Sequence, residues 1–335
     1  MPGFWRPTLG RRRTRRRIGR AIHIVSVLVA LAWFAACQRA DVADPPRRLV
    51  IAVGATEGVF QAVGQALAAI YDDLPGIQAT TKYSLNSQTS AEALERGEVD
   101  LALEGARTTY LAYRKGTPNL QEPHTRLRAL AVLFPTVVHI AVHRHSAIRT
   151  VADLRGRRVF VGAKGTATEG ASRVVLESHG LTFDDIQPVY DRDHVIDDFR
   201  NRQLDGIFFF YPVEHVLAVA MMRLGGGMLI PLDPRLMEPI RGRDPLLRPA
   251  FIAKGTYDGQ PETVLTVGTD VLLVARRDLP DDLVYTLTKT LFNSTDALSR
   301  SHPSARYIDP TRGPDAPIPV HRGAARYYRE RELFR

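Results

Sequence analysis

The chain is 335 residues long, with 45 Lys and Arg against 36 Asp and Glu and a formal net charge of +9. The excess is local: Arg6, Arg11, Arg12, Arg13, Arg15, Arg16, Arg17 and Arg20 precede the only cysteine, Cys37, and no acid appears before Asp41. Without those eight arginines the +9 falls to +1, so composition argues against a nucleic-acid partner, and one cysteine excludes an internal disulfide.

Residues 1–36 run basic, then apolar (Ala21–Ala36, AIHIVSVLVALAWFAA), then small, which is the order of a secretory signal. The apolar run is 16 residues, short of the roughly 20 a bilayer requires. Cys37 directly after Phe34-Ala35-Ala36 reads as a lipoprotein cleavage site with the lipid on Cys37, although such signals usually carry Leu, Val or Ile where Phe34 stands. An ordinary cleavage after Ala30-Leu31-Ala32 and a retained membrane anchor are the alternatives. Residues 37–48 are a polar tether broken by Pro45-Pro46.

Ordered structure is expected from Leu49. LVIAVG (Leu49–Gly54) reads as a buried parallel strand, and the next segment places Phe60, Val63, Leu67 and Ile70 on one helical face, with Thr56 as N-cap. GIQATTKYS is a second strand, Ser87–Arg96 a helix stopped by Gly97, and EVDLALEG a third strand. Leu127–His145 holds one or two long strands. Arg158–Gly162 is a strand, followed by a Gly/Thr loop and a helix that ends at His179-Gly180; Thr166 and Glu169 have capping-box spacing. A helix near His194–Arg202, the strand Leu204–Tyr211, a loop-rich stretch Leu224–Pro261, strand character over Val264–Pro280, one helix over Asp281–Ser299 and a short charged helix at the end complete the order. Alternating strands and helices predict an α/β fold of two lobes around a hinge, with lobe 1 at 49–145, lobe 2 at 146–262 and a return to lobe 1 over 263–335.

In open parallel sheets, ligands sit beyond the C-terminal strand ends, where helix N-termini offer free N–H groups to anions. Three loops qualify: Gly54–Gly58, Tyr83–Ser87 and Gly162–Glu169. Neither glycine loop has the spacing of a P-loop or a dinucleotide fingerprint. His139, His143 and His145 alternate along a strand without a neighbouring cysteine or carboxylate and are read as exposed strand residues, not as a metal site. Asp184-Asp185 and Asp197-Asp198 read as helix starts or solvated faces, and no nucleophile–base motif is present. Arg107, past the third strand, has the chemistry to clamp a carboxylate, with a plain surface arginine as the alternative. Glu104, if it faces a cleft, favours a ligand amine or hydroxyl. Phe208, Phe209, Phe210 and Tyr211 read as core strand, with the alternative that the last of them, Tyr211, reaches the cleft mouth.

From about Leu49 to Arg329 the sequence resembles the TAXI-type solute receptors of TRAP transporters. The segments that carry the likeness include GATEGVFQAVGQALA, RGEVDLAL, VADLRGRRVFVGAKGTATEGASRVVLESHG, IAKGTYDGQ and, most specifically, PIPVHRGAARYYRE over Pro317–Glu330. The resemblance implies a type II periplasmic-binding-protein fold, whose lobes close on an amino acid or organic acid and present it to TRAP membrane permease subunits. Such a receptor is periplasmic, needs no cofactor or metal, and is not an enzyme. A ligand sensor docking on a signalling partner is the first alternative, and an enzyme on the same scaffold the second. By the family pattern and the loops above, the expected ligand contacts are Thr56, Glu57, Phe60, Asn86, Ser87, Glu104, Arg107, Thr166, Thr168 and Tyr211, with no catalytic residue. Three departures bear on the ligand: Val59, Phe60 and Gln61 replace family aromatics, Glu104 replaces a frequent Gln, and FFFYP replaces a Gly-containing segment.

Overall fold

A computed structural model describes Gly3 and residues 46–54, 58–191, 193–224 and 226–333. All of these but Gly3 and Pro46 belong to one compact unit, Arg47–Arg335. Cys37, residues 1–36 other than Gly3, and most of the tether lie outside the described residues, as do Thr56 and Glu57.

Ten strands form one sheet. They are β1 (Arg47–Val53), β2 (Ile77–Tyr83), β3 (Leu101–Gly105), β4 (Leu127–His143), β5 (Arg158–Phe160), β6 (Gln187–Val189), β7 (Gly206–Tyr211), β8 (Gly227–Leu229), β9 (Arg248–Ile252) and β10 (Val264–Arg276). Their order is β2-β1-β3-β10-β4-β7-β5-β6, with β8 on β4 and β9 on β10. The ladders β1–β2, β1–β3, β5–β6 and β5–β7 are parallel, while every pairing of β4 and β10 is antiparallel. The sheet is therefore two parallel α/β halves welded along two long antiparallel strands.

The helices are α1 (Val59–Asp72), α2 (Ser87–Arg96), α3 (Ala106–Lys115), α4 (Ala167–Ser178), α5 (Val195–Arg200), α6 (Val216–Leu224), α7 (Met237–Arg243), α8 (Asp281–Asn293), α9 (Thr295–Ser301) and α10 (Arg322–Glu330). In the first half, Leu49, Ile51 and Val53 of β1 pack on α1 through Val63 and Leu67, while Ala52 and Ala102 pack on the opposite face against Ala91 and Leu94 of α2. The second half is likewise two-faced, with Val159 and Phe208 on one side and Phe160 and Phe209 on the other. The core partner changes within the long strands. On β4, Phe134 packs with the first half and Val137 with the second; on β10, Val271 packs with the first and Val267 with the second. The β4–β10 register shifts between Asp270 and Leu272, beside Pro135.

Several local expectations need correction. The buried stripe of α1 is Val59, Val63, Leu67 and Tyr71, one residue off the expected face, which leaves Phe60 only partly buried. Its N-cap is Gly58, not Thr56, and φ 128° at that position is a conformation that favours glycine. Asp281–Ser299 is not one helix but two, broken at Ser294. The alternating histidines are not an exposed row: His139 and His143 are buried, and only His145 is exposed. α2 matches expectation residue for residue, with Gly97 at φ 77° closing it.

The C-terminal segment fastens the hinge. His321 N–H donates to the Ala129 carbonyl at 2.9 Å and Tyr328 O–H to the Leu130 carbonyl at 2.7 Å, both on β4. Gly323 permits α10 to lie against α8, since a Cβ there would sit 2.2 Å from the Asp281 carbonyl oxygen.

Candidate functional site

Four helices begin at one cleft of about 180 Å³ between the halves. Gly58 precedes α1, Asn86 precedes α2, Gly105 precedes α3 and Thr166 precedes α4, and all four residues line the cleft. A helix N-terminus carries unpaired N–H groups and about half a positive charge. Gly58 and Gly105 supply no capping side chain, so the first-turn N–H groups of α1 and α3 are left for solvent or a ligand. The first turns of α1, α2 and α3 also hold no acid, so their positive ends are uncompensated within the helix.

Asn86 accepts from the Thr89 N–H at 3.0 Å and orders the start of α2, where Ser87 lines the cleft. Thr166 accepts from the Glu169 N–H at 3.3 Å and donates to the Ala163 carbonyl at 2.6 Å. The expected capping box is only half formed: the Glu169 carboxylate accepts from Gly165 N–H at 3.2 Å and pairs with Arg173 at 2.8 Å. Thr168 is buried in the cleft wall. Tyr211 stacks on His215, with ring centroids 4.1 Å apart and planes 11° apart, and both rings line the cleft. Phe60 lines the opposite wall.

Two expected residues have other surroundings. Glu104 does not line the cleft; it lies behind the first turn of α2 with no exposed surface. Burial pushes its carboxyl well above the ordinary range, and the nearby Ser90 and Ser87 hydroxyls pull only partly the other way. Neither hydroxyl makes a bond of acceptable geometry to it, and both carboxyl oxygens are without a partner. Burial thus favours the uncharged form of the Glu104 carboxyl beside the start of α2. Arg107 lines the cleft, yet its Nε donates to the Asp244 carboxylate beyond α7. That pair joins the two halves. Arg306 and Glu214 make a second bridge between the halves at 2.8 Å.

Sequence reasoning missed Thr136 and Thr269, which reach the cleft from β4 and β10 at the point where packing changes sides. The Thr136 hydroxyl donates to the Thr269 carbonyl at 3.3 Å. Beside them, buried Asp270 holds Arg248 at 2.6 Å and Arg312 at 2.8 Å. A threonine on each of two strands that later prove adjacent was the available signal. Among the described residues no three His, Cys, Asp or Glu are grouped to hold a metal ion, and no helix is long and apolar enough to cross a membrane.

Two α/β halves, two antiparallel hinge strands and a cleft of helix N-termini define a type II periplasmic-binding-protein fold. Solved structures share it. The periplasmic aliphatic sulphonate binding protein SsuA from Escherichia coli aligns at 21% identity and TM-score 0.51, over 76% of this chain and 73% of its own. PhnD1 from Prochlorococcus marinus (MIT 9301), solved in complex with methylphosphonate, aligns at 11% identity and TM-score 0.56, over 86% of this chain and 97% of its own. The chain belongs to the NMT1-like family, whose model matches residues 51–331.

Proposed function

We propose that the protein is an extracytoplasmic receptor that binds a small organic acid or amino acid through its anionic group and delivers it to a membrane permease. One observation carries this reading: four helix N-termini face a single cleft, three of them with no acid in the first turn. The aliphatic sulphonate binding protein and the PhnD1 structure in complex with methylphosphonate support it, since both ligands are small organic anions. Recognition is by binding alone. Closure about β4 and β10 surrounds the anion with N–H groups and expels water, which strengthens each charge-assisted hydrogen bond. Phe60, Asn86, Ser87, Arg107, Thr166, Thr168 and Tyr211 are the proposed wall, with Thr56 and Glu57, which precede Gly58 in sequence, as further proposed contacts. Arg107 acts through the Asp244 pair by fixing the closed arrangement, and Glu104 acts from behind α2.

The residue pattern over Pro317–Glu330 favours a TRAP-type permease, and the signal-like N-terminus with Cys37 favours a lipid tether in the periplasm. A thermal-shift screen of carboxylates, sulfonates, phosphonates and amino acids tests the receptor reading. A true ligand at 100 times its dissociation constant adds about 2.7 kcal/mol. No shift from any of these anions would remove the proposal. Uptake of the identified ligand that survives collapse of ion gradients but stops with vanadate would replace the TRAP permease by an ATP-driven one.

A further inference from the structure

A second cavity, of about 370 Å³, adjoins the cleft in the second half of the fold. The two share Thr166, Thr168 and Tyr211 as common wall, so they adjoin at these three side chains. Beyond them the surroundings change. Phe160, Val195 and Phe209 are buried core side chains that present their edges to the cavity, and Ile196 and Leu217 complete an apolar lining. The cavity's polar lining here, Asp193, His194, Asp197 and Arg200, stands at the exposed mouth, where Asp197 and Arg200 pair at 2.7 Å. Apolar walls give water few partners, so filling the space with hydrocarbon is favourable and filling it with a polar group is not. The cleft adds helix ends and the hydroxyls of Ser87, Thr108, Thr136 and Thr269. The cavity is also about twice the volume of the cleft, which is more room than the binding of a small anion alone requires.

Building on the receptor reading above, we infer that the ligand is an amphiphilic anion. Its acidic head sits at the helix N-termini, and an unbranched apolar tail passes Thr166, Thr168 and Tyr211 into the second cavity. Thr166 and Thr168 then serve both ends: their backbone lies at the start of α4, and their side chains flank the passage. Tyr211, held flat by its stack on His215, forms the other side of the passage.

Isothermal titration of the full chain with acetate, butanoate and hexanoate, and with the matching 1-alkanesulfonates, tests this. Each added methylene should tighten binding about fourfold until the cavity is filled. In Ile196→Trp, which fills the cavity, the ratio of hexanoate to acetate affinity should collapse towards one. Leu217→Gln, which keeps the volume and adds a polar group, should bring the gain per methylene below twofold. It gives the same reading if the tryptophan variant does not fold. Short anions that bind with no gain from added methylenes would overturn the tail assignment and leave the receptor reading intact. A chain-length gain that persists in the variants would place the tail elsewhere and overturn it too. Failure of every anion, short or long, would remove the receptor reading itself and this inference with it.

Discussion

His139 gives the fold a measurable response to acid. It lies on β4 with no exposed surface, between two fixed partners. Nδ1 is 3.1 Å from the Val137 carbonyl, an acceptor, so Nδ1 carries the proton. Nε2 is then the acceptor for the Tyr257 O–H at 2.8 Å, and the Tyr257 oxygen accepts from the Glu214 N–H at 3.0 Å. A second proton on Nε2 would meet that hydroxyl donor to donor. Burial pushes the imidazole down to about 4, with the Val137 carbonyl opposing and the nearby His215 ring adding to the fall. The unfolded chain titrates this group near 6.5. Below that pH the unfolded state takes a proton the folded state refuses. The stabilisation is therefore complete above about pH 6.5 and is lost as pH falls towards 4. Between pH 7 and pH 5 the loss from this residue is about 2 kcal/mol. His139→Gln keeps a polar side chain that does not titrate. Urea unfolding should find the variant less stable at pH 7, by about 1 kcal/mol for the weakened hydrogen bonds. At pH 5 the difference should have moved by about 2 kcal/mol in the variant's favour, leaving the variant the more stable by about 1 kcal/mol. Burial also holds His143, His179, His302 and His321 down, but these act equally in both chains and cancel from the comparison. Equal acid sensitivity of the two chains would refute the account of His139.

Three further outcomes are expected. Thr108→Glu puts a carboxylate in the first turn of α3 at the cleft wall, and should weaken anion binding by about 1 to 2 kcal/mol, or roughly five- to thirtyfold; calorimetry with butanoate showing no change would take the helix ends out of recognition. Gly162→Ala should lower thermal stability by about 1 to 3 kcal/mol, because φ there is 94° and the new Cβ would meet Glu169 N at 2.6 Å and Thr168 Cβ at 2.7 Å; a midpoint equal to the parent's would contradict that packing. Glu104→Gln removes an acid whose folded-state pKa is raised, so the parent loses stability as pH climbs from the unfolded value near 4.3. The variant should therefore gain relative to the parent from pH 4 to pH 8, and a constant difference across that range would show that Glu104 is not neutral when folded.

Local patterns in the sequence were sufficient for most elements. Asn86 and Gly97 bracket α2 because capping and the left-handed turn are properties of single residues near one another. α3 escaped notice: it starts at the unmarked Gly105-Ala106 and follows β3 without a loop, so no breaker separates the two. Partners far apart in the chain were not legible. Arg107 offered a guanidinium, but Asp244 lies 137 residues on, and only the tertiary fold brings the pair together. Likewise, the apolar run of β4 says that the strand is buried and nothing about β10 beside it. The histidines alternate as strand residues should, yet whether such a row faces solvent or core depends on what covers it. At the cleft, Asn86, Ser87, Thr166 and Thr168 were found because helix starts can be read locally. Thr136, Thr269 and His215 were missed because their place depends on how the halves meet.

The placement of β10 has a consequence for how the protein is made. The strand lies between β3 and β4 in space but follows β4 by more than a hundred residues in sequence. Until Val264–Arg276 emerges, β3 lacks the neighbour on its β4 side, and the first half cannot close its core around Val271 and Leu273. Tyr327 and Tyr328, more than fifty residues further along the chain than Val271 and Leu273, belong to the same core. Pairings of such long range are slow to form. The core of the first half therefore cannot be completed before β10 and the Tyr327-Tyr328 pair have both been made.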